Sequence, residues 1–520
     1  MTSHDVQADV FALLGDPATH GGGEVKRIDT HAAAVFLTGT RAYKVKRAVR
    51  FPFLDYSTLE KRKAACEAEL AVNRAFAPEL YRRVVPITRA PDGRLALDGA
   101  GVPIEWALEM QRFDETATLD RLAARGGIDL ALADALARVV AAAHAKAPVA
   151  DAGPWPERLS VIVAQNHDEL CGHADLFDPA RVDALTQASN AALRGITPLL
   201  ASRGAAGLVR RAHGDLHLGN IVLIDGKPVI FDAIEFDPKM ATGDLLYDLA
   251  FLLMDLIERG LDRAANAVLN RYLIETGRAE DLDGLAALPL FLSVRAAIRA
   301  KVTAAKRDVS ATDHAAAATA ACAYFDLAAR LIAPPAPVLI AVGGHSGTGK
   351  SVLARALAPL LPPAPGAVVL RSDIERKRMF GAAETERLPP VAYTPWETER
   401  VYMALVRKAR RVIAAGHSAV IDAVFGTSDE REQIGAAAQA TNTPFLGLFL
   451  AADLAVRLAR VEARKHDASD ATADVVRRQD NYEVGDVDWV KIDAGGTPEQ
   501  TLRAAKAALA SHAPGAPAPR

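Results

Sequence analysis

The chain has 520 residues, half of them hydrophobic and 24% charged, a composition that excludes a disordered chain and leaves room for two or three domains. A formal net charge of −3 gives no bulk attraction for nucleic acid or for an anionic membrane. Three scattered cysteines, Cys66, Cys171 and Cys322, carry no ligand-like spacing, which excludes a disulfide framework and suits a reducing cytosol.

The start, MTSHDVQADV, has neither the basic segment nor the apolar core of a secretion signal. The most apolar helical run, 244–257, contains Asp244, Asp248 and Asp255, too many acids for a membrane span. A cytoplasmic protein is expected.

In chain order, strands are predicted at 33–39 (AAVFLTG) and 42–49 (AYKVKRAV), a helix from about Thr58 to Ala77, and mixed strands to about Met110. From Leu119 the pattern is mostly helical, including the alanine-rich 130–147, and one strand pair interrupts it at 221–232. A small sheet followed by a helical lobe is a two-lobed α+β arrangement. Ala333-Pro-Pro-Ala-Pro337 stops the last helix, and we place a domain boundary there: 1–332, a linker at 333–337, and 338–511. Residues 512–520, rich in Ala, Pro and Gly, read as a flexible tail. The second half alternates strands at 338–344, 368–373, 418–422, 445–451 and 489–493 with helical patterns. That specifies an α/β domain, a parallel sheet with helices on both faces.

The first half holds His213-Gly-Asp215-Leu-His217-Leu-Gly-Asn220. Phosphoryl transfer needs an acid to orient the acceptor hydroxyl and a nearby amide oxygen on a metal, and Asp, four residues, then Asn supplies that spacing. Asp225-Gly226 between apolar runs predicts a tight hairpin that returns Asp232 beside Asn220, so Asn220 and Asp232 are candidate Mg2+ ligands and Asp215 the candidate base. In the second half, Gly344-His345-Ser346-Gly347-Thr348-Gly349-Lys350-Ser351 lies between a strand and a helix, the setting of a phosphate loop. Its glycines let backbone N–H groups converge on phosphates, Lys350 neutralises the β/γ-phosphates, and Ser351 ligates Mg2+. Asp373 is predicted to end the strand VVLRSD, and Asp422 ends SAVID, where it fits a second metal position.

These motifs carry two resemblances. The HGD…N…D pattern resembles the aminoglycoside phosphotransferase family, a protein-kinase-like fold, over roughly 24–260 and weakly to 330. The resemblance implies a strand lysine on the ATP phosphates, Lys44 with Lys46 as second choice, paired with Glu69 or else Glu67. It implies a hinge near Trp106–Met110 that meets adenine through the backbone of Glu109 and Met110. Asp248 would brace the catalytic loop, and His144 would be core. The chain departs from the protein-kinase pattern in having no glycine-rich loop before Lys44, and Glu235 and Asp237 make the segment after Asp232 unusually acidic.

The phosphate loop, RSDIER (371–376) and RLARVEARKHDASDA (457–471) together resemble the P-loop small-molecule and polynucleotide kinases, a group that includes the zeta toxins. This implies Asp373 as the base, Arg376 on an anionic group of the acceptor, and Arg460 and Arg464 as lid arginines clamping the transferring phosphoryl. The two resemblances in tandem look like a group of uncharacterised bacterial two-domain kinases. The expected activity is therefore ATP- and Mg2+-dependent transfer to hydroxyls of small-molecule acceptors such as sugars, at two sites. One competing reading makes the second half a nucleic-acid end kinase, for which Arg371, Arg376, Lys377 and Arg378 supply charge while aromatics are sparse (Phe380, Tyr393, Trp396). Another makes one domain a non-catalytic nucleotide sensor, against which the intact motifs in both halves count.

Overall fold

The computed structural model describes residues 3–51, 54–309, 314–464, 467–482 and 484–512. The tail read from Ala513 onward lies outside the described residues, as do Lys465 and His466 of the second arginine motif. The chain divides into two compact units, one of residues 1–157 and 200–255, the other of 158–199 and 256–520.

In the first unit the strands are β1 (Lys26–Asp29), β2 (Ala33–Thr38), β3 (Arg41–Lys46), a short pair β4 (Arg50–Phe51) and β5 (Leu54–Asp55), then β6 (Tyr81–Arg89), β7 (Leu95–Leu97) and β8 (Val102–Gln111). Six of them form an antiparallel sheet in the order β1-β2-β3-β8-β6-β7. Alternation along β2 and β3 puts Ala34, Phe36, Tyr43 and Val45 into one core with Val85, Ile87 and Ala107. An N-terminal helix, Ser3–Gly15, closes that core with Val10 and Leu14. Its Gln7 amide donates to the Lys46 carbonyl and to Glu105, each at 2.8 Å. The sequence reading missed both this helix and β1.

The Leu59–Asn73 helix starts on Thr58, whose hydroxyl accepts from the Lys61 N–H. It packs against β8 and β6 and carries Glu69 toward β3. After the Leu130–Lys146 helix come β9 (Val209–Arg211), the hairpin of β10 (Ile221–Ile224) and β11 (Lys227–Ile230), and β12 (Thr242–Asp244), which pairs with β9. Ala77, Leu80, Tyr81 and Leu108 pack with Val222 and Val229, fastening the hairpin to the sheet.

The second unit contains helices that precede residues 333–337, among them Asp262–Thr276, Leu288–Val309 and His314–Leu331, together with a five-stranded sheet. Its strands β13 (Leu339–Gly344), β14 (Val368–Arg371), β15 (Ala419–Asp422), β16 (Phe445–Ala451) and β17 (Val490–Asp493) are parallel, in the order β14-β15-β13-β16-β17. Every residue of β13, β14 and β15 is buried, as the continuous apolar runs require. The Asp262–Thr276 helix covers the β14 edge of the sheet. Asn266 and Asn270 donate to the Ala367 carbonyl at 3.0 and 3.1 Å, and the Val369 N–H donates to Asn270 at 2.7 Å. Two amides thus satisfy edge backbone groups that would otherwise invite another strand. Among the described residues no helix is long and apolar enough to cross a membrane.

Candidate active sites

Strand alternation puts Lys44 and Lys46 on the same side of β3, and both converge on the buried Glu69. Lys44 Nζ lies 2.7 Å from Glu69 Oε1 and 2.8 Å from Asp232 Oδ1. Lys46 Nζ lies 2.5 Å from Glu69 Oε2 and 2.6 Å from Glu235 Oε1. The two lysines are therefore distinguished by their second partners, and only Lys44 reaches Asp232. Burial opposes the Lys44 charge, but Asp232 and Glu69 overcome it and hold its pKa well above an ordinary lysine's. Burial likewise opposes ionisation of Glu69, yet the lysines pull its pKa down to about 2. Glu67 is largely exposed and sits 3.7 Å from Lys63, away from this network. Glu235 is bound to Lys46, so part of the acidity after Asp232 is matched by charge.

The catalytic-loop candidates sit together. Asn220 donates through Nδ2 to the Asp215 carbonyl at 3.0 Å and to Asp215 Oδ2 at 2.9 Å, which leaves its amide oxygen as the atom suited to a cation. His217 Nε2 is 3.4 Å from Asp215 Oδ2. Asp248 accepts from the Gly214 N–H at 2.7 Å and from His144 Nε2 at 3.1 Å, bracing the turn from behind. Gly214 has φ of +84°, a left-handed conformation that favours glycine. Asp232 also adopts a positive φ, +62°. Its N–H donates to Tyr81 Oη at 3.0 Å, and Asn73 holds both backbone groups of Ala233. Tyr81 and Asn73 lie far away in sequence and carry no motif, so nothing in the sequence marked them.

The hinge reading needs correction. Glu109 and Met110 lie inside β8, paired with Tyr43 and Ala42 of β3 on one side and with Arg83 and Tyr81 of β6 on the other. Strand pairing engages their backbone, and the Glu109 carboxylate is held by Arg41 at 3.0 Å and Arg83 at 2.9 Å. Even past the strand end, the Arg112 N–H is bound to the Thr40 carbonyl.

In the second unit the loop Gly344–Ser351 joins β13 to the Lys350–Leu357 helix. Gly347 has φ of +87°, and a Cβ there would stand 2.6 Å from the Arg457 carbonyl. Lys350 Nζ donates to the His345 carbonyl at 3.0 Å, Thr348 Oγ1 donates to the same oxygen at 2.9 Å, and the Ser346 N–H donates to Gln479 at 2.7 Å. Burial lowers the pKa of Lys350, partly offset by Asp422 and Asp373. Burial also lowers that of His345, which favours its neutral form beside the loop.

Asp373 lies within the first turn of the Ser372–Met379 helix, two residues beyond the end of β14 at Arg371, and not at a strand end. Burial, reinforced by Asp422, raises its pKa above the usual carboxylate range against the pull of Arg371 and Lys350. Arg371, the first residue of RSDIER, has no role in phosphoryl transfer in the sequence reading, yet it lies at the centre of the site. It donates to Asp422 at 3.1 Å, to Ser351 Oγ at 3.1 Å and to Asp467 at 3.4 Å. The register pairing of Arg371 with Asp422 across β14 and β15 is what brings these two together.

Three arginines read from the motif end up in different places. Arg376 donates to the Ala392 carbonyl at 2.5 Å and to Thr398 Oγ1 at 3.4 Å and lies over the Tyr393 ring at 4.9 Å, so it pins a turn. Arg460 donates to the carbonyls of Ala494 and Gly496, each at 2.7 Å, and to the Thr348 carbonyl of the phosphate loop at 3.5 Å, so it ties the segment after β17 to the loop. Arg464 is close enough to Lys350 and Asp467 to shift both of their pKa values, which keeps it on the phosphate side. Helical spacing puts side chains on one face, but partners decide where each guanidinium ends. Lys377, buried, binds Asp470 at 2.6 Å.

A kinase-like sheet with a Lys–Glu–Asp network above an Asp…Asn loop, and a parallel sheet with a phosphate loop, define a phosphotransferase enzyme with two kinase-type, nucleotide-using domains. The phosphotransferase enzyme family model matches residues 25–288, and the chain belongs to that family. An AAA domain model matches residues 339–483, the phosphate-loop half. Uncharacterised proteins of Mycobacterium tuberculosis and Mycobacterium bovis are each 28% identical over 486 residues, covering 91% of this chain and 93% of theirs. A choline/ethanolamine kinase family protein from Mesorhizobium loti is 15% identical, with 63% of this chain and 99% of that one covered and a TM-score of 0.36. A gluconokinase from Sinorhizobium meliloti is 22% identical, with 34% and 92% covered and a TM-score of 0.25.

Proposed function

We propose that each kinase-type domain transfers the γ-phosphoryl group of ATP to a hydroxyl of a small-molecule acceptor. The observation that carries the reading is the coincidence, in one chain, of two complete sets of groups for that chemistry. At the first site Lys44, held by Glu69, is the phosphate contact, with Lys46 behind it. Asp215 orients the acceptor hydroxyl and takes its proton. Asn220 and Asp232 would hold Mg2+, which when bound neutralises charge on the phosphates. At the second site the Gly344–Ser351 loop and Lys350 hold the β/γ-phosphates, Ser351 and Asp422 would hold Mg2+, and Asp373 is the base. Arg464 stabilises the transferring group. Among the described residues no group of three or more His, Cys, Asp or Glu would hold a metal. One or two protein ligands completed by nucleotide phosphates is the arrangement Mg2+ favours, and both sites fit it.

The domains in this reading are 1–332 and 338–511, joined by 333–337. The nucleic-acid alternative is disfavoured because Arg371, Arg376 and Lys377 are buried and bound to internal partners, leaving few of the expected charges for a phosphate backbone. The test is acceptor-dependent ADP release across a panel of sugars and amino alcohols, with Asp215→Asn and Lys350→Ala each silencing one site. If no acceptor raises ADP release in the wild-type chain, or if neither variant abolishes a release that is found, the two-site reading fails.

A further inference from the structure

A cavity of about 330 Å3 lies within the second unit, beside the β14 edge, and its lining reaches Arg371, which touches Ser351 of the phosphate loop. Leu273, Ile274 and Leu282 line one side, and Val369, Met379 and Leu405 the other. The charged groups around it do not balance. Arg278 is paired with Asp281 at 2.9 Å, Arg411 with Asp283 at 2.9 Å, and Lys408 with Glu375. Arg378 has only the neutral Gly277 carbonyl as partner, and Arg407 has no hydrogen-bond or ion-pair partner among the described residues. Arg378 and Arg407, both exposed at its rim, therefore add unmatched positive charge to a cavity that also holds Arg278, Arg371, Lys408 and Arg411 against a single carboxylate, Glu375. Burial, with repulsion from Arg378 and Arg407, pushes the Lys408 pKa down despite Glu375.

A cavity lined by apolar side chains and by charged ones that are mostly cationic suits a ligand with an organic body and a phosphate, since guanidinium donates to phosphate oxygens in pairs. The volume is that of one compact metabolite. The strand that forms its wall, β14, ends on Arg371, which touches Ser351 and Asp422. A ligand against Val368–Leu370 therefore leans on the strand that sets the position of Arg371. We propose that this cavity binds a small organic phosphate, such as a sugar phosphate or nucleoside monophosphate, and that its occupancy changes nucleotide affinity at the phosphate loop through β14.

The experiment uses the full chain. Glucose 6-phosphate and AMP, without divalent metal, are titrated calorimetrically into Lys350→Ala protein, in which the phosphate loop is disabled. Saturable binding of at least one is expected, weakened about tenfold by adding Arg407→Gln, the loss of one charge-assisted contact. Arg407 is exposed, so its substitution leaves folding intact, and Arg378→Gln gives a second reading. In protein with Lys350 present, the compound that binds should shift the affinity for a fluorescent ATP analogue, and Arg407→Gln should remove that shift. If neither compound binds, if binding is unchanged in both arginine variants, or if analogue affinity does not respond, the proposal is overturned. None of these readouts is phosphoryl transfer, so the outcome is separate from that of the catalytic reading.

Discussion

Replacing Glu69 with Gln tests whether one buried carboxylate holds the lysines of β3 in place. Lys44 Nζ is 2.7 Å from it and Lys46 Nζ 2.5 Å, and its side chain is fully buried. Burial would raise its pKa, but the two lysines bring it from 4.5 to about 2. That difference corresponds to about 3 kcal/mol in favour of the charged form in the fold. Lys44 retains Asp232 and Lys46 retains Glu235 in the variant, and glutamine keeps the volume and one acceptor, so the net loss expected is about 2 kcal/mol. For a unit of this size that lowers the melting temperature by about 4–8 °C. The sign with pH follows from the depressed pKa. The contribution is fully present above the unfolded value near 4.5 and is lost as pH falls toward about 2. Calorimetric melts of wild type and Glu69→Gln should therefore differ most at pH 7 and converge on acidification to pH 3. Melting within about 1 °C at pH 7, or curves that stay parallel down to pH 3, would refute the reasoning.

Other perturbations separate roles within each site. Asp215→Asn should abolish transfer at the first site, in kcat, while ATP affinity measured by calorimetry stays within about twofold, because an acid facing the acceptor contributes little to the ground state. Lys350→Ala should lower ATP affinity and turnover together at the second site, whereas Asp373→Asn should bind Mg-ATP nearly normally and lose transfer in single-turnover assays. Equal loss of affinity in both variants would remove Asp373 from the acceptor side. Because the Asp373 pKa is raised by burial and Asp422, the acid limb of the second site's pH–rate profile should lie above the ordinary carboxylate range, activity falling as pH drops through it. Arg464→Ala should slow single-turnover transfer with little change in ATP affinity, while Arg460→Ala, which frees the Thr348 carbonyl of the phosphate loop with those of Ala494 and Gly496, should weaken nucleotide binding instead.

Much of the architecture was legible because it rests on local physics. Short apolar stretches at 339–344, 368–371, 419–422 and 445–451 predict strands buried on both faces, and all four form largely buried strands. The Asp225-Gly226 pair closes a hairpin whose register pairs Ile221 with Ile230. Strand alternation announced that Lys44 and Lys46 share a face. What it does not contain is which neighbour each side chain meets. The choice of Lys44 for Asp232 and Lys46 for Glu235 depends on a segment almost 190 residues away, and the placement of Arg371 depends on which strand lies beside β14. Arg376, Arg460 and Arg464 look alike as spacings on helices, yet a backbone turn takes the first, the second ties the segment after β17 to the Thr348 carbonyl, and the third acts on Lys350. Glu109 and Met110 failed as a hinge because a central strand engages its backbone on both sides, and centrality is a property of the sheet order. Covering of the β14 edge by Asn266 and Asn270 is the same kind of fact. Periodicity and turn chemistry act over a few residues and are written in the chain. Pairing across a hundred residues or more is chosen by the whole fold, through burial and charge that no local segment carries.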